Sequence, residues 1–598
     1  MPLWRRRWQI APAAPPAWFE HYPDTHPRVL QVLYNRGMTT PETIQAFLAE
    51  EGAFENPWSM AGMHEAVFLI RQVVSRNLPI AVYGDYDADG ITATAILVET
   101  LQALGAQVRA YIPDRVEEGY GLNLEALQTL ATEGTRLLIT VDCGIRSLEE
   151  VALARRLGLQ VIVTDHHHVG AALPAADVIL NPRRPECSYP FPDLAGAGVA
   201  FKLAQALLRA NRQAPLPSTR RELPEEDLLD LAALGTIADM VPLLGENHVI
   251  ARQGLRKINE ARRPGLAALM QIANTQPGKI TAATIGFVLA PRLNAAGRIG
   301  EASLAFDLLV APDLSSSLPL AQGLEQLNRA RQDLTTQVQE ATRAMVLQGE
   351  DNPPLFFAVA EDFPSGIIGL AAGRLVEEFY RPVVVVERGE PFSRGSARSI
   401  PEFHITQALD TMADLLERYG GHAAAAGFTV RTENLPELQA RLLALAREQL
   451  EGVTLTPTLH IDLEMPLTEL SWELHQALAV MAPFGYGNPE PLLVTRGLRV
   501  LDARSVGVDG RHLKLTVSAN GNPGFSNLAG SGNAESQRPW DAGRPWDAGR
   551  PWDAIAFRQG EWLGRLPSTV DLAYNLALNE WNGRATLQLR VQDIHPAE

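Results

Sequence analysis

Three short runs of acidic residues and histidines each follow an apolar run. "AVYGDYDADG" sets Asp85, Asp87 and Asp89 close together, "LITVDCG" adds Asp142, and "VIVTDHHH" ends in Asp165, His166, His167 and His168. Carboxylates that converge repel and raise one another's pKa, a cost that a divalent cation removes. Aspartate and imidazole suit such an ion. Without a thiolate run the set favours Mn2+, with Mg2+ second, and it has no structural-zinc pattern. Four or more carboxylates and two histidines also suffice for two ions, and a two-metal site about 3.5–4 Å across serves in-line displacement at phosphorus. Taken singly, each run equally reads as an Asp/Gly turn or a solvated loop. Cys143, beside Asp142, reads as a small buried residue and not as a ligand.

To bring these runs together, the apolar stretches must be strands of one sheet. "LPIAVYGD", "TRLLITVD", "LQVIVTD" and "ADVILNP" are short and nearly continuously apolar. Helices separate them: "ITATAILVETLQALG", closed by Gly105, and "SLEEVALARRLG", with Ser147 and Glu150 at capping-box spacing and Gly158 at its end. The alternation predicts an α/β domain with a doubly wound parallel sheet covered on both faces. Ligands of such sheets bind outside the carboxyl ends of the strands, where all three runs fall.

At 598 residues the chain is too long for one core, and about four domains of roughly 150 residues are expected. Its 46% hydrophobic and 20% charged residues are the balance of a soluble globular protein. No apolar stretch nears the roughly 18 residues of a membrane span, so no membrane partner is expected. "MPLWRRRWQI" runs into "APAAPPAWF" without the apolar centre of a secretion signal. Cys143 and Cys187 cannot build a disulfide framework, so the expected compartment is the reducing cytoplasm. A net charge of -17 argues against general affinity for nucleic acid but leaves room for arginine-lined grooves.

Residues 1–55 read as a helical leader, through "HPRVLQVLYNRG" and "TPETIQAFLA", and 56–270 as the catalytic α/β domain. Residues 271–350 read as a helical connector. There Leu320, Leu324, Leu327, Leu334, Val338 and Met345 keep one face of a helix ~45 Å long at 1.5 Å per residue. A smaller α/β domain spans 351–455, from "PLFFAVA" through "GSARSI" to "RYGGHAAAAGF". Residues 456–598 are β-rich and predict a small barrel or sandwich. Within them, at about 519–554, an insertion ends in "RPWDAGRPWDAGRPWDA" and reads as a loop lengthened by tandem duplication. In the sharper reading, Trp540, Trp546 and Trp552 stack on single-stranded bases.

"GDYDADG", "TVDCG", "TDHH" and "GTIADMVPL" resemble successive motifs of the DHH phosphoesterase superfamily, and "GSARS" and "YGGHAAAAGF" resemble its DHH-associated domain. "PDRVEEGYGLN" and "PRLNAAGRIG" narrow the resemblance to the RecJ exonucleases, bacterial enzymes that degrade single-stranded DNA from its 5′ end. The resemblance runs from roughly Asn56 to the C-terminus, is very specific through Phe428, and implies an oligonucleotide-binding (OB) fold in the β-rich tail. It implies Asp85, Asp87, Asp142, His166 and Asp239 as metal ligands, with Asp142 bridging. Asp239 lies in a helical segment and is promoted by the resemblance alone. Many members place a histidine four residues before the first motif aspartate. Here that position is Ala81, which leaves His167 or solvent to complete one coordination sphere. Asp89 is expected behind the ligands, Asp165 as the group that orients a histidine, and His168 as a bystander.

In the second lobe, Arg394 and Arg398, flanking Ser396, suit phosphates through charge-assisted bonds. The Gly420–Gly421–His422 stretch is expected as a turn of close backbone approach, with His422 set near the scissile phosphate by the resemblance. "PRLNAAGR" offers Arg292, Asn294 and Arg298, and Arg115 is a reader for a 5′-phosphate, although any single arginine is more commonly a surface ion pair. Asp142, His166, His167 and His422 are thus the expected catalytic group. The implied function is a 5′-to-3′ exonuclease that releases 5′-mononucleotides from single-stranded DNA in repair and recombination. Two Mn2+ ions (Mg2+ as alternative) are the implied cofactors, and a single-strand-binding protein and a helicase are the candidate partners. Two rivals stay open. A superfamily hydrolase of short oligonucleotides or nucleotides would need little beyond the two lobes. A non-catalytic DNA-binding scaffold is disfavoured by the intact acidic set.

Overall fold

The computed structural model describes residues 6–115, 118–119, 121–348, 352–519, 551–581 and 583–597. They form two compact units: residues 51–455 with 483–488, and the remainder at both ends of the chain.

The first strand among the described residues, β1 (Arg7–Ile10), pairs in parallel with Thr458–Ile461. The leader is therefore not helical throughout. A strand of four residues has too few inward positions to register as a periodicity. The two expected helices follow at Pro27–Asn35 and Pro41–Leu48. Trp8 stacks on His595 at 4.0 Å and donates from Nε1 to Asp593 Oδ2 at 2.7 Å, which fastens the leader to the C-terminal strands.

In the larger unit β2 (Ile80–Tyr83), β3 (Val108–Tyr111), β4 (Leu137–Val141), β5 (Gln160–Thr164) and β6 (Val178–Leu180) form a parallel sheet in the order β3-β2-β4-β5-β6. The order reverses between β2 and β4, which makes a topological switch point. Apolar cores cover both faces, one built with α1 (Ala88–Ala103) and α2 (Gly196–Gln213). The helix after β4 starts at Leu148, but the Ser147 side chain makes no cap bond, so the expected capping box does not form. Glu149 and Glu150 still place negative charge in its first turn.

Helix α3 (Leu229–Ala238) packs against α1 and α2. Helix α4 (Ala290–Ile299) follows a single π-helical turn, Ile285–Leu289. Helix α5 (Leu314–Leu347) runs 34 residues, about 50 Å at 1.5 Å per residue. Its buried seam is Ala321, Leu324, Asn328, Thr335, Val338, Thr342 and Val346, and Met345 lies outside it at 42% exposure. Small polar residues fill positions that an apolar pattern leaves blank. Val338 and Val346 join the core of the second lobe with Phe356 and Ile367.

That lobe contains β7 (Phe356–Ala360), α6 (Ser365–Phe379), β8 (Val383–Glu387), β9 (Phe392–Arg398), β10 (Leu416–His422) and β11 (Ala425–Arg431), with strand order β10-β11-β9-β8-β7. Gly420, Gly421 and His422 are not a turn. They end the edge strand β10, opposite Gly427, Ala426 and Ala425. Gly421 holds φ 153°, and a Cβ there would sit 2.2 Å from the Ala425 carbonyl oxygen, so only glycine closes this hairpin.

The smaller unit continues through β12 (Thr458–Ile461) and β13 (Leu463–Glu464) to β14 (Leu493–Val506), β15 (His512–Ala519), β16 (Trp552–Ala556), β17 (Thr569–Trp581) and β18 (Arg584–Pro596). The last five pair in the order β14-β15-β16-β18-β17, and β17 pairs back to β14. This ring is the closed barrel of an OB fold. The last repeat copy is part of it: Trp552, 6% exposed, sits in β16 opposite Val517 and is not available for stacking on bases. Trp540 and Trp546 lie outside the described residues.

Candidate active site

Three adjacent strands deliver the acidic runs to one edge. Asp85 and Asp87 follow β2, Asp142 follows β4, and Asp165, His166 and His167 follow β5, so they meet at the switch point. Asp239 joins them from the end of α3, where it is the C-cap residue. Ligand atoms lie within 4.8 Å of one another in each of three groups: Asp85, Asp87 and Asp142; Asp89, His166 and Asp239; and Asp142, His166 and His167. His166 Nε2 is 3.0 Å from Asp142 Oδ1, 3.6 Å from Asp239 Oδ2 and 3.8 Å from Asp89 Oδ2.

Close backbone packing makes the cluster possible. Asp142 adopts a left-handed φ of 59°, and a Cβ at Gly196, the first residue of α2, would meet the Asp142 Cβ at 2.6 Å. The Gly196 and Ala197 N–H groups donate to Asp89 at 2.6 and 2.8 Å. Asp89 therefore caps α2 while it stands beside His166, closer to the centre than its expected place behind the ligands. Asp87 caps α1, accepting from the Asp89 and Gly90 N–H groups.

Burial raises Asp85, Asp142 and Asp239 well above the usual carboxylate range. Neighbouring charge adds to the effect, from Asp87 on Asp85 and from Asp89 on the other two. Burial, then Asp87, pushes Asp89 up to about 7. Burial, with the charge of His167, pushes His166 down to about 3, so its ring is neutral at ordinary pH. Asp85 Oδ1, Asp142 Oδ1 and His166 Nε2 are buried without hydrogen-bond partners. Orphaned acceptors of this kind, arranged in threes, fit a divalent cation. Asp165 behaves differently. Despite burial, its bonds to His167, including Nδ1 at 2.8 Å, hold it low, and it also accepts from the Ile145 N–H. It fixes the His167 ring and the loop.

The DHH run reaches further than its first two histidines. His168 Nε2 lies 3.0 Å from an Arg183 nitrogen, and its ring stands 6.2 Å from that of His422 on β10. His168 is thus the place where histidines from the two lobes meet. Arg183 belongs to none of the motifs, yet its charge reaches both His166 and Asp239. Its position in "NPRRP" directly after β6 is the one signal the sequence offers for it.

Strand alternation sets Arg394, Ser396 and Arg398 on one face of β9. Arg398 donates to Ser396 Oγ at 3.1 Å, and a Cβ at Gly369 of α6 would come within 2.9 Å of both side chains. Arg298 of α4 donates to the Gly366 carbonyl at 3.2 Å. Burial, then the charges of Arg115 and Arg331, lowers Arg298 to about 10, and burial, then Arg115, lowers Arg398. Among the described residues neither has an ion-pair partner. The Arg115 guanidinium lies 4.9 Å over the Tyr86 ring, next to Asp85. Arg292 and Asn294 are different. Arg292 is paired with Glu325 at 2.7 Å and donates to the Val288 carbonyl, and Asn294 Oδ1 accepts from the Ala88 N–H at 2.7 Å. These two lock α4 to its neighbours, and the guanidinium of Arg292 and the oxygen of Asn294 are already engaged.

The sequence matches the DHH family N-terminal domain over residues 79–236, the DHHA1 domain over 352–448 and the RecJ OB domain over 461–530 and 544–593. It is 38% identical over 578 residues to the single-stranded-DNA-specific exonuclease RecJ of Bacillus subtilis (strain 168), covering 96% of this chain and 68% of that protein. The crystal structure of RecJ from Thermus thermophilus in complex with Mn2+ has a TM-score of 0.80 and 30% identity, covering 99% of this chain and 80% of that one. The Mg2+ complex from the same organism has a TM-score of 0.74 and 29% identity, covering 99% and 79%.

Proposed function

From the premise that the chain belongs to the RecJ family of single-stranded-DNA-specific exonucleases, we propose that it removes nucleotides one at a time from the 5′ end of single-stranded DNA. It is a hydrolase of the DHH family and an exonuclease of single-stranded DNA that depends on a divalent metal. The finer reading rests on one observation: orphaned carboxylate and imidazole atoms at the switch point share a unit with arginines that lack counter-ions among the described residues.

Two ions, Mn2+ or in its place Mg2+, are the reading that suits the three overlapping groups. Asp85 and Asp87 serve one side, and His166 and Asp239 the other. Asp142, which shares one group with Asp85 and Asp87 and another with His166, would serve both. A divalent cation supplies the Lewis acidity that activates water against a phosphodiester and the charge that steadies the leaving oxygen. The protein supplies the rest. Asp89 holds the start of α2 against the cluster, and Asp165 fixes the orientation of His167. Arg298 and Arg398, with Ser396, hold phosphate oxygens through charge-assisted bonds, and Arg115 takes the 5′-phosphate. Arg394, exposed on the same face of β9, guides the strand toward them. His422 faces the scissile phosphate beside His168, and Gly420 and Gly421 leave the edge of β10 clear for the backbone.

The test is digestion of 5′- and 3′-labelled single strands with Mn2+ by the wild type and by Asp142→Ala. The wild type should release labelled mononucleotide from the 5′-labelled strand at once. Asp142→Ala should lose about a thousandfold or more in rate, the scale of losing metal-based charge stabilisation. An unchanged rate would overturn the bridging role, and early release from the 3′ label would overturn the polarity.

A further inference from the structure

The short segment Pro483–Asn488 lies in sequence between parts of the smaller unit but clusters with the catalytic one. It is a tight turn. Gly485 and Asn488 exchange backbone hydrogen bonds at 2.8 and 3.2 Å, Gly487 holds a left-handed φ of 74°, and the buried Asn488 donates to the Pro483 carbonyl at 2.9 Å. The turn is seated on Pro242 and Leu243. The Leu243 N–H donates to the Tyr486 carbonyl at 2.8 Å, and Cβ atoms added at Gly485 or Gly487 would come within 2.9 Å of those residues. Pro242, on which the turn rests, is three residues past Asp239, so its Cα lies within about 11 Å of the Asp239 Cα.

This rigid, backbone-anchored turn presents Tyr486 at 61% exposure, and Met240, the residue directly after Asp239, is 67% exposed. Folding does not require either side chain in the open, since neither is needed for the turn's bonds or for its packing on Leu243. An exposed aromatic on a fixed backbone near a phosphodiester site suits the face of an unpaired base, and it loses little conformational freedom on contact.

We propose that Tyr486 is a positioning residue on which a base next to the scissile phosphate stacks. The proposal rests on the single-strand exonuclease reading given above. It favours single strands locally, because an internal base held in a duplex has both faces covered by its neighbours.

The experiment compares wild type, Tyr486→Ala and Tyr486→Phe on oligo(dT) and on the same oligomer with single abasic sites moved stepwise from the 5′ end. Tyr486→Ala should raise KM for oligo(dT) about five- to thirtyfold with kcat little changed, and Tyr486→Phe should restore it. One abasic position should raise the wild-type KM by a similar factor and leave Tyr486→Ala indifferent. Equal KM in wild type and Tyr486→Ala, or an abasic penalty that persists in the variant, overturns the shelf. A wild type inactive on every single strand overturns the exonuclease reading instead.

Discussion

At the carboxyl edge of the first sheet, burial and mutual repulsion raise Asp85, Asp142 and Asp239. Around α4 and β9, burial and mutual repulsion lower Arg298 and Arg398. The two regions have opposite signs and the same deficiency, because each concentrates charge without its complement. Two clusters of buried charge elsewhere in the unit are closed. Arg263 binds both Glu99 and Asp230, and Lys202 meets Glu246 at 2.7 Å with both side chains almost wholly buried. Where the fold only needs stability, it pairs its ions. Where pairs are missing, the function proposed above supplies the partner: a cation at one edge and a polyanion at the other.

The sharpest way to break this comparison is to delete one arginine of each kind. Arg263→Met strands two carboxylates and should cost about 3–5 kcal/mol in thermal or urea unfolding. Arg398→Met should leave stability unchanged or slightly raised, while kcat/KM on 5′-phosphorylated single strands falls about 10- to 100-fold. Equal destabilisation by both would erase the distinction.

A second test concerns the acidic edge. Asp89 is pushed up to about 7 from 3.8, so between those values the metal-free folded protein holds a proton that the unfolded chain has released. At that group stability falls as pH rises through the window, and a cation must displace the proton. Calorimetric Mn2+ affinity should therefore rise with pH, up to about tenfold per pH unit for each proton displaced, through the Asp89 window and beyond it while Asp85, Asp142 and Asp239 still hold protons. A flat profile would show that the edge is already ionised without metal.

The smallest effect is expected at the frame. Asn294→Ala removes the acceptor for the Ala88 N–H and should lower stability by about 1 kcal/mol, with Mn2+ affinity falling only modestly. A large loss of DNA affinity at unchanged stability would return Asn294 to the substrate.

Much of this centre is legible in the chain because strand ends are local events. The parallel sheet, the three acidic runs and a β-rich tail fit for a small barrel or sandwich follow from apolar runs and their punctuation, and the resemblance to the family made that barrel an OB fold. Strand β3 escapes such a reading, since "VRAY" alternates within a largely covered sheet and sits close to a turn. Asp239, Arg183 and the meeting of His168 with His422 are invisible to periodicity, because helices and loops distant in sequence bring them together. Arg292, Asn294 and Arg298 share one motif, yet the first two brace the frame and the third faces open charge. Only the neighbours of each side chain separate them.

By itself the sequence determined the type of chemistry. Aspartates and histidines in three runs suit a divalent metal once they converge, and a doubly wound sheet delivers them to one edge. The tertiary structure decided which charges stay unpaired, because pairing depends on what packs across from each group: Glu325 opposite Arg292, and among the described residues no carboxylate paired with Arg298 or Arg398. It also decided that Gly196 lets α2 approach Asp142 and that a turn from a distant segment seats Tyr486 on Leu243, four residues past Asp239. Residue type sets what a group can bind, and the surrounding packing sets whether that capacity is left open.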